Sequence, residues 1–320
     1  MIITSSPSSS FAAPSLLFQR QKSATPFTTT TPLLRDEKSS SKKNSRRISS
    51  SSPNMNPFEF TTASRTVFEI DAFETRAVKL ITDLAKQENA TIDSDAHPGK
   101  VLIVCGESER FSAPLKKKLK EEANVESVVF HCPKGEPTVQ SAIDCTKLAS
   151  ENMCELVVAV GGGTAVDTGK CVAAMLTNGG AERDIYDFLE VVGKAMPIEK
   201  RPRPFVAIPT TAGPGAELTK NSVLEAGDRK VSMRHPLMLP DLVIVDPKLT
   251  VQMPRDVTAH TGLDALTQCI EPYVCNSPNP VTDSLSMSGI KLGAKSLRRC
   301  LEQPEDINAV SYTHLRAHET

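Results

Sequence analysis

What the 320-residue sequence lacks narrows its class before any motif is read. None of its eight cysteines pairs as Cys-x-x-Cys, and no Cys/His cluster has zinc-finger spacing, so zinc modules and dithiol redox sites are excluded. Cysteines scattered through apolar runs such as VLIVC (101–105) read instead as reduced core residues, which favours a reducing compartment. No apolar run approaches the roughly 18 residues that a membrane-spanning helix needs, so no membrane partner is expected. Acidic residues are scarce in residues 1–55, where eight Lys or Arg face only Asp36 and Glu37. That segment carries +6, and with a formal net charge of −1 overall the remainder carries −7. A body that acidic offers no electrostatic footprint for nucleic acid.

Residues 1–57 are rich in Ser, Thr and Pro and almost free of hydrophobic periodicity, the composition of a disordered segment. They hold no compact apolar stretch ending at a small-residue cleavage site, which argues against secretion. They match an organelle transit peptide, of plastid type before mitochondrial because Ser dominates and Arg is sparse. The expected location is therefore the plastid stroma, with mitochondrion and cytoplasm as alternatives; a plain disordered tail is the other interpretation of the segment.

From residue 58 the pattern becomes one of alternation. Strands are expected at 64–70, 101–105, 125–132, 155–160, 205–208 and 242–247, and helices at 73–87, 113–123, 139–152 and from about Thr164. Strands alternating with helices imply a parallel sheet covered on both faces. After Pro254 only helical periodicity remains, at 257–273 and 282–301. The expected architecture is α/β: a Rossmann-like parallel-sheet domain over 58–247, then the beginning of an all-helical domain over 248–310.

The stretch VVAVGGGTAVDTGK (157–170) ends a buried strand on three glycines. A Walker A loop is missing: Thr164 stands where its first glycine belongs, and Cys171 where the hydroxyl for Mg²⁺ belongs. The Rossmann Gly-x-Gly-x-x-Gly is also incomplete, because Val166 takes the third glycine position after Gly161 and Gly163. What remains is bare backbone at a helix N-terminus, where free amides and the helix dipole favour an anion. Thr164 is expected to cap that helix, with Asp167 supporting its first turn. A tight turn with no ligand is the alternative. IPTTAGPGAELT (208–219) repeats the logic with Thr210, Thr211, Gly213 and Gly215, and two such loops on adjacent strands would clamp a dinucleotide from two sides.

These stretches, followed by IVDPKLTVQMPRDVTAHTGLDALTQCIEPY (244–273), resemble the iron-containing (group III) alcohol dehydrogenase family, with its dehydroquinate-synthase-like fold. Asp246, Pro254, Ala259, Thr261, Asp264, Ala265, Leu266 and Glu271 stand at the spacings of the family's first signature, and the resemblance covers about residues 60 to 310. It implies hydride transfer between a small alcohol or aldehyde and NAD or NADP. Metal and substrate would sit between an α/β domain and a helical one, and a homo-oligomer is compatible with it. Carried over, Gly161, Gly162, Gly163 and Thr164 hold the pyrophosphate with Asp167 nearby. Thr210 and Thr211 line the adenosine and phosphate side, and Val223 and Lys230 flank the ribose and nicotinamide. A solvated lysine is the alternative for Lys230. Gly106 stands where NAD-preferring relatives place an Asp on the ribose 2′-hydroxyl. Its lack of charge, with Ser108 and Arg110 close by, suggests that a 2′-phosphate is accepted.

The family's Fe²⁺ or Zn²⁺ is held by an Asp, a His four residues on, and two later histidines. Asp264 fits the first position, but Gln268 stands at the second, and an amide oxygen is a poorer ligand than imidazole. His260 shares that helix face, though the family does not use its position. The later two are not found: after Asn308 the family pattern stops, and residues 311–320, with His314 and His318, look like an unrelated tail on a truncated chain. A metal-independent reductase acting on keto acids and a non-catalytic dinucleotide-binding fragment are the alternatives to a metal-dependent dehydrogenase.

Overall fold

The computed structural model describes residues 57–89, 99–180, 183–213, 215–251 and 253–311. The expected leader, except for Pro57, and the tail histidines His314 and His318 lie outside the described residues. Apolar runs rich in Val and Ile form the strands, as expected where both faces of a strand are covered. In chain order these are β1 (Thr66–Phe68), β2 (Lys100–Cys105), β3 (Ser127–His131), β4 (Cys154–Gly161), β5 (Phe205–Pro209), β6 (Asn221–Ala226), β7 (Arg229–Arg234) and β8 (Leu242–Val245). Six of them make one parallel sheet in the order β1-β8-β5-β4-β2-β3. β6 and β7 pair antiparallel as a separate hairpin.

Helices cover both faces: α1 (Ala72–Thr75), α2 (Ala77–Asn89), α3 (Ser112–Ala123), α4 (Val139–Glu151), α5 (Gly163–Asn178) and α6 (Ile185–Phe188), with α7 (Arg255–Tyr273) and α8 (Pro280–Glu302) after the sheet. The single helix expected at 73–87 is broken at Arg76, whose φ of −129° leaves the helical range. One face of the sheet packs Ile103, Val158, Val206 and Ile244 against Ile81, Leu115 and Leu119; the other packs Leu102, Val157, Ala159 and Val243 against α5. Each fully buried aliphatic side chain contributes about 1.5–3 kcal/mol.

α5 is the central helix, buried on the sheet side by Ala165, Val166, Val172 and Ala173 and on the hairpin side by Cys171, Ala174 and Met175. Gly169 permits that depth, since a Cβ there would lie 2.9 Å from Phe205 Cε2 and 3.1 Å from Ala159 Cβ. Asp246 fixes the far side of the sheet. Its buried carboxylate accepts from the backbone N–H of Asp71, Phe73 and Lys248, at 3.0–3.1 Å, joining the end of β8 to the start of α1. α7 and α8 pack on each other where Gly262 meets Leu297. Among the described residues no helix is long and apolar enough to cross a membrane.

The β6–β7 hairpin is the element missing from the sequence expectations. Its signal is present: Val231 and Met233 alternate with more exposed neighbours, and a two-residue Gly227–Asp228 turn, with Gly227 at φ 67°, joins the strands.

Candidate functional site

The strand order reverses between β2 and β4, because β3 lies outside β2 while the chain returns to place β4 on its other side. In parallel α/β sheets ligands bind outside the carboxyl ends of the strands at such a reversal. Here those ends are Gly106 and Gly161, and a Cβ built on Gly161 would sit 3.7 Å from the Gly106 nitrogen. β4 runs directly into Gly162, and α5 begins at Gly163. The first N–H groups of a helix have no intrahelical acceptor and sit at its positive end. The expected juxtaposition of strand end, glycines and helix N-terminus is therefore in place.

The second loop lies against the first, as the adjacency of β4 and β5 requires. The Thr210 N–H donates to the Gly161 carbonyl at 2.9 Å. The Thr211 side chain lies so close to Gly162 that a Cβ there would be 3.1 Å from Thr211 Cγ2. Farther along the loop, Gly213 packs on Thr261 of α7.

Thr164 does not cap α5. The N-cap is Gly162, which offers no side chain, and the Thr164 hydroxyl donates to the Gly135 carbonyl at 2.8 Å. Backbone amides at the helix start are thereby left without a side-chain cap, and Thr164 anchors the loop after β3 instead. Lys230 reaches the same loop, its Nζ 2.8 Å from Glu136 Oε1 on the surface. Lys230 and Thr164 thus meet on one segment, although 66 positions separate them in sequence. The N–H of Val223, on β6, bonds to the Asp167 carboxylate.

Beneath the loops lies a group that sequence reasoning passed over. Lys170 is only 1 % exposed, and its Nζ donates to the carbonyls of Ala216 (2.6 Å), Thr219 (2.7 Å) and Asn221 (2.7 Å). Desolvation lowers its pKa to about 8, opposed by Asp167 and Glu217, so it stays protonated at neutral pH. Burial pushes the fully enclosed Glu217 up to about 7 and Asp167 up to about 6; Lys170 pulls both down, as does the Val223 N–H for Asp167. Only the Gly-Lys pair at 169–170 pointed to this lysine, and it fits a failed Walker pattern.

At the other end of the crevice, Gly106 is followed by exposed Ser108 and Arg110. Ser108 Oγ accepts from the Arg110 N–H at 3.2 Å, and the Arg110 guanidinium lies 4.8 Å from the centroid of the Phe111 ring. His131 Nδ1 is 3.1 Å from the Gly106 carbonyl.

Asp264 and Gln268 share one face of α7, as their spacing requires, and the Gln268 amide donates to Asp264 Oδ2 at 3.1 Å. Asp264 and His260 are exposed. Among the described residues no three His, Cys, Asp or Glu side chains cluster closely enough to hold a metal ion. One carboxylate already bonded to an amide N–H is not a fitting donor set for Fe²⁺ or Zn²⁺.

Comparison with known proteins gives the same outline. Residues 81–247 match the family described as iron-containing alcohol dehydrogenase, and residues 258–317 match its C-terminal family. The second match runs into the segment that the sequence alone set apart as an unrelated tail. Long-chain-alcohol dehydrogenase 1 of Geobacillus thermodenitrificans is 37% identical over 174 residues, 54% of this chain and 43% of that protein. Alcohol dehydrogenase 4 of Saccharomyces cerevisiae is 34% identical over 194 residues, 60% of this chain and 49% of that protein. The chain spans about half the length of the curated relatives it matches. Among solved structures, a sulfoacetaldehyde reductase from Bifidobacterium kashiwanohense in complex with NAD⁺ superposes with a TM-score of 0.70 at 25% identity, covering 82% of this chain and 66% of that one.

Proposed function

The chain belongs to the iron-containing alcohol dehydrogenase family, and from that premise we propose that it serves hydride transfer between a small alcohol or aldehyde and a nicotinamide dinucleotide. The observation that carries this reading is the pair of glycine loops, bonded together from Thr210 to Gly161 at the reversal of strand order. The nicotinamide ring, when bound, accepts or returns the hydride. The chain's own part is to hold and orient. Amides at Gly162–Thr164 take the pyrophosphate at the positive end of α5, and Thr210 and Thr211 wall its other side. Asp167 lies near that pyrophosphate site, and Val223 and Lys230 bound the far end, where ribose and nicotinamide would lie.

At the adenosine end, Gly106 places no carboxylate against a 2′-phosphate, and Arg110 supplies a cation. NADP is therefore proposed as the preferred form. Turnover with NAD and NADP on one alcohol series tests both parts: a strong NAD preference overturns the choice of form. Binding with no turnover on any alcohol or aldehyde supports a non-catalytic dinucleotide module instead.

The Gln268–Asp264 hydrogen bond favours a second reading, a reductase of the same family that works without metal. Metal analysis after incubation with Fe²⁺ or Zn²⁺ separates them, and one stoichiometric ion per chain removes the second. For location, residues 1–57 are proposed to direct the chain to plastids. A fluorescent fusion of that segment checks this, and a purely cytoplasmic signal contradicts it.

A further inference from the structure

Lys170 has no part in the scheme above, yet it is among the largest fully buried side chains of the protein. A buried ammonium is costly, and an apolar side chain of similar volume would fill the space as well. Its surroundings explain the charge. An ammonium has three N–H donors, and three carbonyl oxygens stand within 2.7 Å of Nζ, with Thr219 Oγ1 a longer fourth contact at 3.2 Å. An apolar replacement would leave those acceptors buried and unmatched.

The position of these carbonyls is the instructive part. Lys170 lies two turns into α5, the helix that begins at the first glycine loop. Ala216 opens the 3₁₀ turn that follows Gly215 of the second loop, Thr219 closes it, and Asn221 begins β6. One side chain therefore joins the helix of the first loop to the exit of the second and to the root of the hairpin. A second tie runs alongside, from Ser222 Oγ to the Asp167 carbonyl at 2.8 Å. The Thr210–Gly161 bond joins the same loops at the rim. The loops are thus fixed at two levels: at the rim by a backbone bond with the Thr211 side chain packed on Gly162, and beneath by the lysine, whose side chain supplies the hydrogen bonds of the deeper level.

We propose that Lys170 is a positioning residue that sets the separation of the two glycine loops, and with it the width of the cleft that receives the dinucleotide pyrophosphate. This deepens the dinucleotide reading and rests on it. A dinucleotide spans both loops and depends on their separation. 5′-AMP carries one phosphate, which the amides of the first loop can satisfy, so its binding depends far less on that separation.

Calorimetric titration of the full chain with NADP⁺, NAD⁺ and 5′-AMP tests this, using wild type, Lys170→Gln and Thr219→Val. Gln keeps two donors but loses the charge. Loss of one charge-assisted bond should weaken dinucleotide binding about tenfold in Lys170→Gln while 5′-AMP stays within about twofold. Thr219→Val leaves the lysine in place and should show the same selectivity at about threefold, which keeps the test open if Lys170→Gln does not fold. Where turnover is measurable, the cofactor KM should rise with kcat at saturation nearly unchanged. Equal losses for dinucleotide and mononucleotide would mark general loosening and overturn the proposal, as would no loss at all. A wild type that binds neither dinucleotide removes the dinucleotide reading itself, a different result from a wild type and variants that bind alike.

Discussion

The carboxyl end of the sheet and the outer face of α7 carry sequence signals of similar strength, but the fold treats them differently. Around the glycine loops, the residues that the sequence singled out are held by partners far along the chain: Thr164 by Gly135, Thr210 by Gly161, Asp167 by the hairpin. On α7, Asp264 bonds only one turn away to Gln268. Leu263, at 56 % exposure, stands beside Asp264 in open solvent. The lesson is that a motif becomes a site where different elements converge on it. A motif satisfied along its own helix remains a helix face.

The strongest way to sharpen this contrast is to damage the scaffold beneath the loops. Ile103→Ala, at a fully buried position on β2, should cost about 2–5 kcal/mol in urea unfolding. A cost below about 1 kcal/mol would mean the sheet under the site is looser than its packing indicates.

A pH experiment probes the buried charges. Glu217 keeps its proton up to about pH 7 in the fold, against an ordinary value of 4.5. Between those values the native state binds more protons than the unfolded chain. Stability from this group therefore rises as pH falls through 7 toward 4.5 and is lowest above 7. Asp167, raised to about 6 from 3.8, acts in the same direction at lower pH. Lys170, lowered to about 8, acts oppositely, and only between 8 and 10.5. From pH 8 to pH 5.5 the wild type should gain about 1–2 kcal/mol relative to Glu217→Gln. Parallel pH profiles for the two proteins would contradict the buried proton.

At the rim, Gly161→Val is expected to separate binding from folding. Its Cβ would lie 2.7 Å from Ala165 Cβ and press toward Gly106. Dinucleotide affinity should fall about tenfold or more, a loss of about 1.4 kcal/mol, while far-ultraviolet dichroism keeps the native shape. Unchanged affinity would remove the first loop from the cofactor site.

The smallest effect belongs to α7. Gln268→Ala breaks an exposed pair at i, i+4 and should change stability by no more than about 0.5 kcal/mol. A larger loss would show that this face is as strongly tied as the loops, and the contrast would fail.

Much of this was legible in advance. Every expected strand and helix from 64 to 301 has a counterpart, with ends displaced by a few residues, because apolar runs and 3.6-residue stripes are local signals. The hairpin escapes the sequence expectations because its strands are only half apolar, unlike the continuous apolar runs of the main sheet, so the turn chemistry of Gly227–Asp228 has to carry the signal. The expected Thr164 cap gives way to a distant bond because capping preference is read from neighbours within three residues, and the partner of Thr164 lies 29 residues away.

By itself, then, the sequence determined the alternating α/β order, the two glycine loops on neighbouring strands, and the one-turn spacing of Asp264 and Gln268. Tertiary structure decided which of those residues share a site. It buried Lys170 beneath both loops, 46 to 51 positions from its acceptors, and left Asp264 in solvent with a partner four residues off. The reason is physical. Periodicity records which face of an element is apolar, whereas the partner of a polar group is fixed only when distant backbone carbonyls are brought within hydrogen-bond reach.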